Sequence, residues 1–467
     1  MRNNRSISLF TIISILIALT FGSVQAQEPV QIRWYVGLGA GTDAPLVEAQ
    51  QAIVDEFNAS QSDIVVTLEI VDNDQAYDVL STQIAAGNAP DIIGPMGIRG
   101  RASYPGAWLD LEPLIESTSY DLSDFDEALV DSYYIEGEGQ LGIPFAVYPS
   151  FMLYNKELFD EAGIPYPPSE YGEPYVDWEG NEREWNIETM SEIAKILTVD
   201  GEGNDATMEE FNTEDVVQFG YATMMTDVRG RDTLFGAGNF VDEEGNAVIP
   251  ENWREAEHWF HNAMWEEYYV PNAVYGTSEL MGGSSGNPFN TGNLGMGTIH
   301  VWYLGWGTAD LDAEWDFAPV PSYNGTATAK LHSDTFGILN TTDHPEEAFT
   351  VLSYLLGEKA QELTALYGGM PARLSLQESY FENLISTLSD GYPNTDWASK
   401  NWDVVVAGLS YPDNPNHEEG MPAFLEASAR YGEYSQFVDN NADADVDAEL
   451  DKLRDDLQAI FDAAADQ

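Results

Sequence analysis

Cysteine is absent from all 467 residues, so no disulfide can staple the chain and its fold must be held by packing. Basic residues are nearly as scarce. Eighteen lysines and arginines stand against 80 aspartates and glutamates, giving a formal charge of −62. A polyanion of this kind is a poor partner for nucleic acid or an anionic membrane surface. The acidity has two readings, adaptation to a salty exterior that screens self-repulsion, or the ordinary solubility of an exported protein. Long apolar runs are missing too, apart from Ile7 to Phe21 near the start.

That run follows Arg2 and Arg5 and ends before the small-residue pattern Val24-Gln25-Ala26, which reads as a secretory leader over residues 1–26 cleaved before Gln27. The alternative is an uncleaved anchor, for which the apolar stretch is short. With no cysteine after the leader, a lipoprotein tether is excluded. The expected location is periplasmic or extracellular, at the cell surface. About 440 residues remain after processing, more than one ordinary core holds, so two domains are expected.

Hydrophobic spacing then sets the order of elements. Gln31–Val36 reads as a strand entering the loop Gly37-Leu38-Gly39-Ala40-Gly41, and Leu46, Ala49, Ile53, Val54 and Phe57 recur at helical spacing. Residues 63–71 read as a second strand. Tyr77, Leu80 and Ile84 mark a second helix closed by Gly87-Asn88, and residues 90–94 a short third strand. Strand, helix, strand, helix, strand implies a mostly parallel α/β sheet. Further on, helices are expected over 187–197, from Asn252, from Pro345 and along the acidic tail, where Val446, Leu450, Leu453, Leu457, Ile460 and Phe461 share one face. Residues 291–307 read as a glycine-punctuated strand region.

Several motifs fail on inspection. The glycine loop sits between strand and helix as a dinucleotide fingerprint requires, but Thr42 occupies the place of the third glycine. Gly282-Gly283-Ser284-Ser285-Gly286 has the letters of a hydrolase nucleophile elbow without the strand before it or the helix after it. His258 and His261 lack a third ligand nearby. Residues 439–450 have the acid spacing of a calcium loop, yet Ala444 and Leu450 stand where glycine and glutamate belong. No catalytic residue, metal site or cofactor is expected.

Aromatic residues carry more. Trp34, Tyr104, Trp108, Tyr148, Trp178, Trp185, Trp302, Tyr303 and Trp306 fall mostly in glycine- or proline-rich connections. In a cleft such rings stack on the C–H faces of a sugar while amides and polar side chains take its hydroxyls. About half of them are expected in the core instead.

Three segments now resemble one family. "QIAAGNAPDII" from Gln83, "GIPFAVYPSFMLYNKELFDEAGIPYPP" from Gly142, and "EEAFTVLSYLLGEKAQELTALYGGMPARLS" from Glu346 are similar, in order, to motifs of the family 1 extracellular solute-binding proteins of ABC transporters, the sugar-binding branch. "GNLGM" from Gly292 resembles a fourth element. Insertions around 169–184 and 200–215 and the missing lipoprotein cysteine depart from the pattern.

The resemblance implies the type II periplasmic binding protein architecture: two α/β lobes joined by hinge crossovers, with a ligand cleft between them. Lobe 1 would comprise 27–146 and 322–370, and lobe 2 147–321 and 371–467. Residues 144–149 would be the first crossover, edged by Pro144 and Pro149, with Tyr148 projecting toward ligand; "APVPSY" and "GGMPAR" would be the second and third.

Because polar ligands sit at the carboxyl ends of strands in such sheets, the candidate contacts are Gly39, Ala40, Asp43, Met96, Arg99 and Tyr148. From later segments come Trp302 and Tyr303 as stacking platforms, and Asp334 and Arg373 as hydrogen-bonding groups. Each has a structural alternative: Asp43 as a helix cap, Arg99 and Arg373 paired with acids, Trp302 in the core. The implied function is reversible capture of a carbohydrate by a monomer that delivers it to ABC permease subunits. A secreted carbohydrate-active hydrolase and a surface adhesin are the alternatives.

Overall fold

The computed structural model describes residues 28–42, 44–135, 137–224, 230–283, 287–308, 311–414, 416–418 and 420–465. The expected leader lies outside them. β1 (Val30–Val36), α1 (Ala44–Ser60), β2 (Ile64–Ile70), α2 (Asn73–Ala85), β3 (Ile92–Met96) and the short helix α3 (Ile98–Ala102) follow in the expected order. β1 pairs parallel with both β2 and β3. Loops at the carboxyl ends of β1 and β3 therefore open on the same edge of the sheet, so Gly39 and Arg99 meet although they are 60 residues apart.

The segment that opens on Pro144 becomes one continuous strand, β4 (Ile143–Asn155), with all thirteen residues buried. It is longer and less broken than the sequence suggests, because the two prolines fall where a missing N–H costs little. Pro144 lies opposite Thr335 beside a shift in register, and a bulge tolerates an absent donor. Pro149 marks a change of neighbours. Up to Pro149 the strand pairs with β9 and β10; from Ser150 it pairs with β7 and β8.

β4 runs directly into the helix Lys156–Ala162. The Asn155 side chain accepts the N–H groups of Glu157 and Leu158, and Gly163, with φ 68°, ends the helix in the left-handed region. That capping explains the "YNKELFDEAG" stretch physically.

Among the later elements, in chain order, are β5 (Val199–Asp200), β6 (Val216–Thr223), α4 (Glu251–Trp265), β7 (Leu294–His300), β8 (Trp315–Ala318), β9 (Leu331–Ile338), α5 (Pro345–Leu356), α6 (Ala360–Tyr367), β10 (Met370–Pro371), α7 (Leu374–Gly391), α8 (Phe424–Asp439) and α9 (Val446–Ala465), and the helix expected over 187–197 forms at Ile187–Ile196. The strand order is β2-β1-β3-β9-β4-β7-β6-β5, with β8 and β10 also on β4. One lobe is built on β2-β1-β3-β9, the other on β7-β6-β5 with β8, and β4 belongs to both. The cleft lies between the lobes.

Buried side chains occupy the helical faces expected. Val446, Leu450, Leu453, Leu457 and Phe461 of α9 pack into one cluster with Tyr431, Tyr434 and Val438 of α8. The polar insertions are organised by a turn used three times, at 177–181, 200–204 and 242–246. In each the leading aspartate accepts backbone N–H groups two and four residues on, and the closing asparagine amide donates back to it. Among the described residues no helix is long and apolar enough to cross a membrane.

Candidate functional site

A cavity of about 340 Å³ lies where the crossovers meet the strand-end loops. The β1–α1 loop supplies Leu38, Gly39 and Ala40. This loop must pass close to β3: a Cβ on Gly39 would stand 2.6 Å from the Pro95 carbonyl oxygen, so only glycine fits. The Asn73 side chain, at the start of α2, donates to the Gly37 carbonyl oxygen at 2.8 Å and also faces the cavity. Gly97, between β3 and α3, and Arg99, in the first turn of α3, also line the cavity. The Arg99 guanidinium lies 4.9 Å from the centre of the Tyr77 ring, an arrangement that holds a long cation without burying it.

The crossovers form the floor. Tyr148 of β4 and His332 and Asp334 of β9 all line the cavity, because alternate residues of paired strands share a face. The Tyr148 hydroxyl donates toward Asp334 Oδ2 at 3.5 Å. Burial, and then the neighbouring Asp334 charge, push the Tyr148 phenol well above its ordinary value, so it stays neutral.

Trp302 forms the wall on the side of the second lobe. His300 stacks on its indole with ring centres 4.2 Å apart, while Tyr148 and His332 meet it edge-on at 5.3 and 5.1 Å. An aromatic held on three sides presents a rigid surface. Trp302 and Tyr367 also line a second cavity of about 310 Å³ that continues toward α7, where Tyr380, Asn383, Thr387 and Tyr392 border it. These two rings border both spaces.

Of the candidate contacts, Gly39, Ala40, Arg99, Tyr148, Trp302 and Asp334 are brought together in the first cavity. Three lie elsewhere. Met96 is fully buried, packed where Cβ atoms added at Gly100 or Gly337 would touch it. Residues 301–303 form a helical turn rather than extended strand, so neighbouring side chains diverge. Tyr303 is accordingly buried, with its hydroxyl donating to Asn287 Oδ1 at 3.0 Å.

Arg373 precedes α7 and turns back onto residues 120–125 and the end of α5. It donates to the Leu356 carbonyl at 2.6 Å, Tyr120 Oη at 2.7 Å and Asp124 Oδ2 at 3.2 Å, with its face over Phe125. Asp43 lies outside the described residues, as do Ser284, Ser285 and Gly286 of the elbow-like motif.

Sequence reading missed Asn73, Tyr77, His332 and Tyr367. Tyr77 was absorbed into the apolar face of α2. The period-two partner of Asp334 was available for His332, and Asn73, following β2, obeys the strand-end rule. Among the other aromatics, Trp34, Trp108 and Trp185 are core residues, each donating its indole N–H to a backbone carbonyl. Trp178 is 56 % exposed.

His258 and His261 take separate partners, Asp447 at 3.2 Å and the Asn441 carbonyl at 3.1 Å. Among the described residues no group of three or more histidine, aspartate or glutamate side chains is placed to hold a metal ion.

The profile of the family described as bacterial extracellular solute-binding protein matches residues 43–362. The chain belongs to that family. It is 24% identical over 314 residues to an arabinooligosaccharide-binding protein of Halalkalibacterium halodurans, an alignment spanning 64% of this chain and 62% of that protein. The chain thus matches under two thirds of that relative's length.

Among solved structures, an ABC substrate-binding protein from Listeria monocytogenes in complex with cycloalternan superposes with a TM-score of 0.66. It has 20% identity, over 92% of this chain and 98% of that one. UspC of M. tuberculosis gives a TM-score of 0.68 and 19% identity, over 93% and 100%. At these identities the structures share the fold, the two-lobed type II architecture of family members. They leave the choice of solute to the residues of this cavity.

Proposed function

We propose that this chain captures an uncharged oligosaccharide between its lobes and delivers it, unaltered, to the transmembrane subunits of an ABC importer. The observation that carries this reading is the pair of rings Trp302 and Tyr367, which border two cavities, with Tyr148, Asp334, Arg99 and Asn73 lining the first. Ring faces suit the C–H surfaces of successive sugar units, and the polar groups suit their hydroxyls. The relative named for arabinooligosaccharide binding supports the solute class. The charge of −62 disfavours an anionic guest.

Closure follows from contacts on both sides. Gly39, Ala40 and Arg99 belong to one lobe and Trp302 to the other, so a solute touching all of them favours the closed form by its differential affinity. The lobe boundaries, 27–146 with 322–370 and 147–321 with 371–467, are part of this proposal. The change of strand partners at Pro149–Ser150 supports the first of them. Export after removal of residues 1–26 and action as a monomer complete it.

Cleavage of the sugar would need two carboxyl groups about 5–10 Å apart across the bond. Among the described residues lining the two cavities, Asp334 is the one carboxylate; what supports binding without hydrolysis is membership of a solute-binding family with a binding protein among its relatives. The test is a thermal-shift and calorimetric screen of the full chain against linear arabino-, gluco- and manno-oligosaccharides, with chromatography of the recovered sugar. A ligand at 100 times its Kd should add about 2.7 kcal/mol of stability and emerge intact. Shortened product, or no stabilisation by any oligosaccharide, would contradict the reading.

A further inference from the structure

We infer that Gln50, a buried residue of α1 that does not touch the cavity, is the positioning residue that fixes both the glycine loop and the Tyr367 wall. This inference rests on the oligosaccharide reading of the site.

Gln50 is fully buried, and both ends of its amide are used. Its Nε2 donates to the Gly41 carbonyl oxygen at 2.7 Å and to the Leu46 carbonyl oxygen at 3.0 Å. Its Oε1 accepts the Tyr367 hydroxyl at 2.7 Å. One side chain therefore joins the loop carrying Gly39 and Ala40 to the last residue of α6, across 317 positions of sequence. The fit is close: Gly41 has φ +112°, and a Cβ there would lie 2.9 Å from Gln50 Oε1 and 3.2 Å from Tyr367 Cε1.

The consequence for Tyr367 is specific. Its hydroxyl is spent on Gln50, so what it offers the two cavities it borders is ring rather than donor. Phe145 meets that ring edge-on at 5.9 Å, which leaves the tyrosine little freedom to tilt. Burial first, and then Asp334, raise the Tyr367 phenol far above its ordinary value, consistent with a permanent donor. A side chain with one donor end and one acceptor end is needed here, because the loop presents a carbonyl and the wall a hydroxyl. Apolar residues satisfy neither, and a carboxylate satisfies the hydroxyl alone.

The test uses the full chain and the tightest-binding oligosaccharide of the screen. Tyr367→Phe, which keeps the ring and removes the anchor, should weaken binding about threefold to tenfold with a nearly unchanged Tm. Gln50→Leu should weaken it more, and the double variant should bind no worse than Gln50→Leu alone, as expected of two members of one unit.

Gln50→Glu should bind poorly at neutral pH and recover as pH falls, since a protonated carboxyl restores a donor beside an acceptor. Wild-type affinity in Tyr367→Phe together with Gln50→Glu would overturn the inference while leaving the oligosaccharide reading intact, as would losses that multiply in the double variant. Should Gln50→Leu fail to fold, Tyr367→Phe and the pH profile of Gln50→Glu decide the matter. Absence of oligosaccharide binding by the wild type would instead remove the reading beneath it.

Discussion

Two of the places where the chain gathers polar side chains treat them in opposite ways. At the crossovers, Asp334, Arg99 and Asn73 border open space. Inside the second lobe, Arg231 is surrounded by Asp232, Glu257 and Asp439, with Tyr431 and Tyr434 closing the group. Arg231, Asp232 and Glu257 are all essentially buried.

There the polar atoms face one another. Arg231 donates to Glu257 at 2.8 Å and to both oxygens of Asp439 at 3.0 and 2.8 Å, while the Tyr431 hydroxyl donates to Asp232 at 2.5 Å. The knot ties the turn after β6 to α4 and α8; Arg231 and Asp439 border a cavity of about 680 Å³, but they reach it already paired to each other. Charge density alone therefore does not mark a binding site in so acidic a protein; the crossovers differ in the several fixed rings that stand beside their polar groups.

The largest effect that would sharpen this contrast is Arg231→Met. It strands the carboxyl groups of Glu257, Asp439 and Asp232 around an apolar group, and breaking the buried Arg231–Glu257 pair in this way costs about 3–5 kcal/mol. Urea unfolding should show that loss, while the oligosaccharide Kd of the folded fraction stays within twofold of wild type. Trp302→Ala should do the reverse. Loss of a central aromatic at a binding site costs roughly 2 kcal/mol or more of affinity, read by calorimetry, with a smaller fall in Tm. If either substitution moved both quantities equally, the two regions would not be separable.

The third prediction concerns pH. Burial first, and then Glu257, raise the Asp232 carboxyl well above the usual carboxylate range against the opposing pull of Arg231. Folding thus favours the protonated form. The stabilisation is fully present below the unfolded pKa and is lost as pH rises through the raised folded value. Denaturation curves followed upward from the carboxylate range should show a decline that Asp232→Asn, which cannot ionise, makes shallower. A decline of equal slope in wild type and variant would assign the alkaline limb to other groups.

The smallest effect is expected at Arg373. Arg373→Lys loses the planar fork that joins Asp124, Tyr120 and the Leu356 carbonyl and should cost about 1 kcal/mol of stability. It should leave sugar affinity unchanged, although the residue belongs to a segment that resembles the family's closing motif.

Much of this architecture was legible in the residues because local spacing and global topology agree. The α/β order of residues 30–96 and the amphipathic face of α9 follow from periodicity that tertiary contacts reinforce, whereas the crossover at 144–149 is legible through the resemblance to the family. Side-chain direction was less legible. Met96 ends β3 and Arg99 lies three residues on in α3, yet one points into the core beneath Gly100 and the other toward Tyr77. Trp302 and Tyr303 separate because the chain coils directly after His300. Gln50 gave no local signal, since its role depends on a hydroxyl that arrives from α6.

A crystal structure of the chain with its tightest-binding oligosaccharide addresses the central claim directly. One sugar ring is expected against Trp302 and Tyr367, with hydroxyls toward Asp334 and Arg99 and the next unit entering the space beside Tyr380. Sugar density outside the crossovers, or a sugar at the crossovers that leaves Trp302 untouched, would contradict it.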